Sequence, residues 1–317
     1  MGKYEQMPCI SVVVPVFNSE NTLQELYNRL TKSLIVHFSH YEIIFINDSS
    51  VDDSSVIISR LAEKDSNVLY FELAKNYGQH NAILCGIRQA KYDFIVTLDD
   101  DLQNPPEEIP KLLEKLDQGY DVVYGYPKNE QHGLYRNIAS LFTKMALKTT
   151  MGISIARHVS AFRLFRTELR DSFSDYKGPF ISIDVLLSWG TSSFFALPVN
   201  HEQRTEGKSN YTVRKLINHA LNMITGFSVL PLQIASIMGF VLAFFGLLVL
   251  IFVLFRFLLQ GSPVPGFPFI ASIIAIFSGA QLLAIGIIGE YLARIHFRTM
   301  NKPQYFIRQK TKNFLKN

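Results

Sequence analysis

Two apolar runs near the end of the chain most restrict what it can fold into. Ile234 to Leu259 is apolar apart from Ser236, Arg256 and glycines, and Phe269 to Leu292 is a second such run with Glu290 near its end. As helices, both are long enough to cross the roughly 30 Å hydrocarbon layer of a bilayer. Only Gln260-Gly261-Ser262-Pro263-Val264-Pro265-Gly266 separates them, which reads as a short turn. The expectation is a membrane hairpin, with Arg256 snorkelling or paired at the far end. Beyond it, Arg294, Arg298, Lys302, Arg308, Lys310, Lys312 and Lys316 stand without an acidic residue. That charge keeps the tail in the cytoplasm, and an even number of spans returns the chain to the side on which it began. Glycines such as Gly279, Gly286 and Gly289 permit close helix packing and hence a homo-oligomer. Just upstream, Tyr211 to Leu232 is apolar on one side and carries Arg214, Lys215, Asn218, His219 and Asn222 on the other. It reads as an interfacial helix, the alternative being a core helix of a soluble domain.

The rest of the chain has a different character. Only 18% of the 317 residues are charged, against about 25% in a typical soluble protein. The deficit sits in the C-terminal part; up to about Ser228 the chain reads as soluble α/β. The net charge of +4 is modest, and no basic run interleaved with aromatics points to nucleic acid. Cys9 and Cys85 are too few for a disulfide framework or a zinc site and read as small core residues. The first residues lack an apolar segment behind positive charge, so no signal peptide is expected.

In this soluble part strands alternate with helices. Cys9–Val14, Tyr41–Ile46, Asn67–Leu73, Tyr92–Val96 and Tyr120–Gly125 are apolar and β-prone. Helical patterns fall at Ser19/Glu20 to Leu34, Val56 to Ala62, Ala82 to Ala90, Glu107 to Leu116 and Leu134 to Leu147. The alternation predicts a mostly parallel sheet with helices on both faces. Polar clusters follow the second, third and fourth strands: Asn47 to Ser54, Lys75-Asn76-Tyr77-Gly78, and Asp99 to Glu107. Ligands of such sheets bind at the carboxyl ends of strands. Each cluster also has a plain reading as turn and cap residues.

The stretch Asp99-Asp100-Asp101-Leu102-Gln103-Asn104-Pro105-Pro106-Glu107 carries the most chemistry. Asp99 and Asp101 are two apart, so a turn there aims both at one hard cation, with Gln103 adding a neutral oxygen. Mg²⁺ or Mn²⁺ suits such ligands and keeps positions open for phosphate oxygens. An acidic turn capping the next helix fits the same residues.

Together with Val14-Pro15-Val16-Phe17-Asn18, the Asn47 to Asp52 turn and Lys75 to Gly78, this stretch resembles the GT-A-fold family 2 glycosyltransferases. More narrowly it is similar to their polyprenyl-phosphate branch, which holds dolichol-phosphate mannose synthases and bacterial undecaprenyl-phosphate sugar transferases. The resemblance implies an inverting, metal-dependent enzyme moving a sugar from a nucleotide sugar, UDP-linked, to undecaprenyl phosphate or a related lipid. Pro15, Phe17, Glu20, Asp48, Lys75 and Asp100 would bind the donor nucleotide; Asn47 replaces the usual first Asp of that turn, so the base falls to Asp48. Asp99, Asp101 and Gln103 would hold the metal.

On the acceptor side, His201 to Tyr211 resembles the family's R-x-x-G-x-S-x-Y element, which closes over the phosphates through Arg204 and Ser209, with Lys208 beside them. Relatives place an Arg after the strand ending at Gly125; here either Lys128 substitutes or that contact is missing. Arg136 and Arg163, the latter in an S-x-F-R segment, complete the expected acceptor-phosphate set. Asp99, Asp101 and Arg204 are the residues expected to carry catalysis. No general base is assigned, since a phosphate monoester is already largely ionised at neutral pH.

The expected organisation is a catalytic domain over 1–210, an interfacial helix over 211–232, two spans over 233–293 and a basic tail over 294–317. It places the enzyme in the bacterial inner membrane with its catalytic domain in the cytoplasm. A processive polysaccharide synthase is disfavoured, because Trp189 is the only Trp and no Arg precedes it. A non-catalytic sugar-nucleotide scaffold is disfavoured by the intact Asp99, Asp101, Gln103 and Arg204.

Overall fold

The computed structural model describes residues 7–128, 158–178, 181–202, 230–260 and 266–311. By its internal contacts the chain divides into two units, Met1–Ala220 with Lys302–Asn317, and Leu221–Asn301.

The first unit is built on one sheet. Strands β1 (Cys9–Val16), β2 (His40–Asn47), β3 (Val68–Leu73), β4 (Phe94–Thr97), β5 (Val122–Pro127), β6 (Arg163–Arg166), β7 (Phe194–Val199) and β8 (Ile307–Lys310) lie in the order β7-β5-β6-β4-β1-β2-β3-β8. All neighbours are parallel except around β6, which runs antiparallel between β4 and β5, and at β8, antiparallel to β3. The mostly parallel sheet expected from the sequence is therefore present.

Both faces of the sheet are covered, which is why the central strands read as unbroken apolar runs. Val12, Val14 and Val16 pack with Leu26 and Leu30 of α1 (Leu23–His37), Ile58 of α2 (Ser54–Lys64), and Leu112 and Leu116 of α4 (Ile109–Asp117). Val13 points the other way, toward α3 (Gln79–Gln89). A Cβ at Gly86 would stand 2.3 Å from Val13 Cγ1, so the missing side chain lets α3 lie this close. Helix α5 (Ile183–Gly190) also belongs to this unit.

Among the departures from expectation, two bear on the rim of the sheet. Helix α1 begins at Leu23 rather than at Ser19 or Glu20, because residues before it bond to a neighbouring strand end. The basic tail is not a plain extension: β8 covers the edge of β3, with Phe71 opposite Lys310 and Leu73 opposite Ile307. Ala74 donates its N–H to the Phe306 carbonyl at 2.9 Å, and Thr311 donates to the Tyr70 carbonyl at 3.0 Å. An uncovered β3 would present unpaired backbone groups to any other strand.

The second unit contains α6 (Leu230–Gln260) and α7 (Phe267–Thr299). Their most apolar windows are Pro231–Val249 and Ile276–Thr299, with mean hydropathies of 2.3 and 1.5. Large apolar side chains such as Phe240, Phe244, Leu258, Ile285 and Leu292 are exposed, as on helices whose surroundings are lipid. Helix α7 outruns the expected span and carries Arg294, His296 and Arg298 on its last turns; Arg294 pairs with Glu290 at 2.6 Å. The expected interfacial helix lies outside the described residues up to position 229.

Candidate active site

Strands β1, β2, β3, β4, β5 and β7 run the same way, so their carboxyl ends share one edge of the sheet. The chain leaves β1 for β2 and β3 on one side and returns to β4 on the other. The strand order reverses between β1 and β4, where a ligand crevice forms in open α/β sheets.

At that reversal the ends of β1 and β4 are laced together by Asp100. One of its carboxylate oxygens accepts the N–H of Phe17 at 3.2 Å and a short hydrogen bond from the Ser19 hydroxyl. Thr22 Oγ1 donates to the Asp100 carbonyl at 2.6 Å. These bonds occupy the residues that the apolar pattern assigned to the first turn of α1.

Asp99 stands beside it. Its Oδ1 accepts from Gln79 Nε2 at 2.6 Å, and Asp101 Oδ1 accepts the Gln103 N–H at 3.2 Å. Burial, then the neighbouring charges of Asp101 and Asp100, push the Asp99 carboxyl up to about 7, against the pull of Arg163 and Gln79. Burial likewise pushes Asp100 up to about 6, opposed by the Ser19 and Phe17 hydrogen bonds. Leu102 holds a φ of +61°, as do Asn18 (+56°) and Ser49 (+62°) at the ends of β1 and β2. Positive φ is uncommon outside glycine, and such strain gathers at functional sites.

The cluster after β2 meets the cluster after β3. Asp48, 3% exposed, accepts the N–H groups of Tyr77 and Gly78 at 2.7 Å each. Burial raises its pKa and the two amides lower it, with burial prevailing. Asn47 Oδ1 caps its own turn, accepting from the Ser50 N–H and hydroxyl at 3.0 and 2.6 Å. Glu20 is engaged too: its carboxylate accepts the Asp53 N–H and its own N–H bonds Asp52, at 2.9 and 3.0 Å. Phe17 is 46% exposed and Pro15 is buried within β1 opposite Ile46. Lys75 Nζ lies 5.1 Å from the Tyr77 ring centroid. Thus Pro15, Phe17, Glu20, Asp48, Lys75, Asp99, Asp100, Asp101 and Gln103 all stand in or beside the same rim.

The acceptor-side residues divide. Lys128 is exposed just past the carboxyl end of β5, on that same edge. Arg163, expected among the acceptor-phosphate ligands, lies in the core. It is 2% exposed, and its guanidinium makes a short ion pair with Asp184, which also accepts from the Tyr124 hydroxyl at 3.0 Å. Arg163 stands opposite Thr97 of β4 and Tyr124 of β5, and its charge is felt at Asp99. Arg136, Arg204, Lys208 and Ser209 lie outside the described residues.

The donor set suits a hard divalent cation. Asp99 and Asp101 offer carboxylate oxygens that repel one another in a partly buried corner, and a cation would relieve that repulsion. Among the described residues no three His, Cys, Asp or Glu side chains gather to hold a metal unaided. Sequence reasoning passed over Ser19, Thr22, Gln79 and Asp184. Their signal was weak: polar residues at helix starts read equally well as caps.

The profile of Glycosyl transferase family 2 matches residues 11–173, which span β1 to the turn after β6. The chain belongs to that family. At finer grain it is similar over nearly its full length to proteins named undecaprenyl-phosphate 4-deoxy-4-formamido-L-arabinose transferase. The one from Enterobacter sp. (strain 638) is 35% identical over 312 residues, covering 98% of this chain and 95% of the relative. The one from Pseudomonas fluorescens (strain SBW25) is 33% identical, covering 96% and 90%. Solved structures share the GT-A fold at lower identity. Glucosyl-3-phosphoglycerate synthase from Mycobacterium tuberculosis, crystallised with Mn²⁺, uridine diphosphate and phosphoglyceric acid, superposes with a TM-score of 0.51 at 18% identity. It covers 69% of this chain and 76% of its own. Mannosyl-3-phosphoglycerate synthase from Rubrobacter xylanophilus does so at 0.50 and 13%, covering 68% and 72%.

Proposed function

We propose that this glycosyltransferase moves a sugar from a UDP-sugar to undecaprenyl phosphate, with inversion at the anomeric carbon. The observation that carries the proposal is the acidic corner at the β1/β4 reversal, where Asp100 ties the two strand ends together beside Asp99 and Asp101. In this reading the nucleotide lies along the rim from Asp48 to Asp100. Both oxygens of Asp48 shape the Tyr77–Gly78 loop and keep lone pairs for a base N–H. Asp99, Asp101 and Gln103 would hold Mg²⁺ or Mn²⁺. A divalent cation there neutralises negative charge growing on the leaving diphosphate.

The acceptor phosphate is largely ionised at neutral pH and attacks without a general base. Lys128 approaches it from the end of β5, and by family resemblance Arg136, Arg204, Lys208 and Ser209 position the dianion. The two apolar helices anchor the chain in the bacterial inner membrane with the catalytic unit in the cytoplasm, where the lipid presents its phosphate to the donor pool.

The test is transfer by the purified full-length protein. It is supplied with undecaprenyl phosphate, Mn²⁺ and a panel of labelled UDP-sugars, including 4-deoxy-4-formamido-L-arabinose, the sugar in the name of the relatives above. Label should enter the organic phase, and Asp99→Asn or Asp101→Asn should remove it by at least about a hundredfold, the scale of losing a charge-stabilising group. Label retained by both variants would overturn the reading.

A further inference from the structure

We propose that Arg29 is a positioning residue for the transfer reaction, tying the loop of the acidic motif to the stretch that follows β7. The proposal rests on the activity proposed above. Arg29 sits on α1, one residue before the buried Leu30, and its side chain is 20% exposed. Its planar fork grips two carboxylates from different parts of the chain. Nε and Nη2 reach Glu107 at 3.1 and 2.9 Å, while Nη1 and Nη2 reach Glu202 at 2.9 and 2.7 Å. Glu107 closes the motif that begins at Asp99, and Glu202 follows the end of β7.

The grip is part of a larger seam. The N–H of Glu202 donates to the Gln103 carbonyl at 3.0 Å, so the backbone of the motif itself is joined to this stretch. Asn200 Nδ2 donates to Glu108 at 2.8 Å. From α1, Ser33 Oγ donates to the Pro106 carbonyl at 3.1 Å. Helix α1 and the Thr22 that precedes it therefore hold the motif at Asp100 through Thr22, at Pro106 through Ser33 and at Glu107 through Arg29.

A lone exposed ion pair contributes little. Here the geometry is bidentate toward both acids, and a lysine point charge cannot reproduce it. Without Arg29 the half-exposed carboxylates of Glu107 and Glu202 would lose the cation they share and keep only solvent between their like charges. That repulsion would part the donor-side loop from the chain that leads onward from β7. Misplacement of about an ångström at a reacting centre costs on the order of a hundredfold in rate.

The test uses the full-length protein with Arg29→Ala, Arg29→Lys, Glu202→Gln and the double variant Arg29→Ala/Glu202→Gln. In the ligand-free protein, hydrogen exchange of the peptide spanning 199–203 should quicken about tenfold in Arg29→Ala while β1 to β3 stay protected. In the transfer assay, Arg29→Ala should lower kcat about tenfold with the donor KM within about twofold, and Arg29→Lys should restore only part of the loss. The double variant should be no worse than Arg29→Ala, because both changes break one linkage. Unchanged exchange at 199–203, additive losses, or a kcat that follows thermal stability alone would each overturn the proposal. A wild-type chain active in transfer with an equally active Arg29→Ala sinks this proposal and leaves the functional reading standing. A wild type that transfers no sugar sinks the functional reading, and with it any role for Arg29 in transfer, whatever the exchange shows.

Discussion

Gly78 donates its backbone N–H to Asp48 Oδ2 at 2.7 Å from a φ of +91° and ψ of 155°. Only glycine occupies that region without strain, so the bond between the clusters after β2 and β3 depends on a residue with no side chain. No atom lies within 4 Å of where a Cβ would be, so the constraint is conformational rather than one of space. Gly78→Ala should destabilise the protein by about 1–3 kcal/mol and weaken UDP binding. Denaturant unfolding with nucleotide titration checks both, and an unchanged midpoint would refute the strain argument.

The carboxyl of Asp99, pushed up to about 7, and that of Asp100, to about 6, both titrate above the usual range near 4. Between pH 4 and 7 the folded protein thus binds more protons at these positions than the unfolded chain does. With the cation removed, this pair adds stability as pH falls from about 7 toward 5 and withdraws it as pH rises. Thermal unfolding in chelator across that range should reveal the slope, and Asp99→Asn should flatten it. Mn²⁺ affinity should change in the opposite sense, weakening below about pH 7 as protons compete for Asp99.

Asp184 balances Arg163 where neither reaches solvent. Removing one partner leaves an uncompensated buried charge, so Asp184→Ala should cost about 3–5 kcal/mol. Tyr124→Phe removes one hydrogen bond to the same carboxylate and should cost about 1 kcal/mol. Chemical unfolding of the two variants checks the order, and equal losses would mean that the charge pair is not the dominant interaction.

The tail should matter to the donor site. Phe306 holds the N–H of Ala74, the residue before Lys75, and Arg88 binds the Gln304 amide oxygen at 2.9 Å and lies 5.8 Å from the Tyr305 ring centroid. Arg88 also reaches the Tyr176 carbonyl at 2.9 Å. Deleting residues 304–317 should raise the UDP dissociation constant several-fold and increase exchange across β3 while leaving β1 and β4 protected. Nucleotide binding unaffected by the deletion would show that β8 only covers an edge.

Much of the fold was legible in local pattern. The strands read at Cys9–Val14 and Tyr41–Ile46 were legible because both of their faces are buried and they are mainly apolar, and the buried Ser11 and Glu42 hydrogen-bond each other. The acidic corner was readable because a strand, a turn and two prolines follow in close succession. Strand β8 was not, since four residues with three exposed have no apolar signature. The start of α1 was misplaced for a related reason: Ser19 and Thr22 resemble caps, and their partner Asp100 is about eighty residues away.

By itself, then, the sequence settled what depends on neighbours along the chain: two helices apolar enough for a bilayer, alternating strands and helices, and which acids fall at strand ends. Periodicity and turn chemistry are local, so they survive in one dimension. Only the tertiary structure decided how charge is shared. It paired Arg163 with Asp184 in the core, and joined Arg29 to acids 78 and 173 positions away. An ion pair depends on distance and burial in space, and neither is encoded in the spacing of residues along a chain.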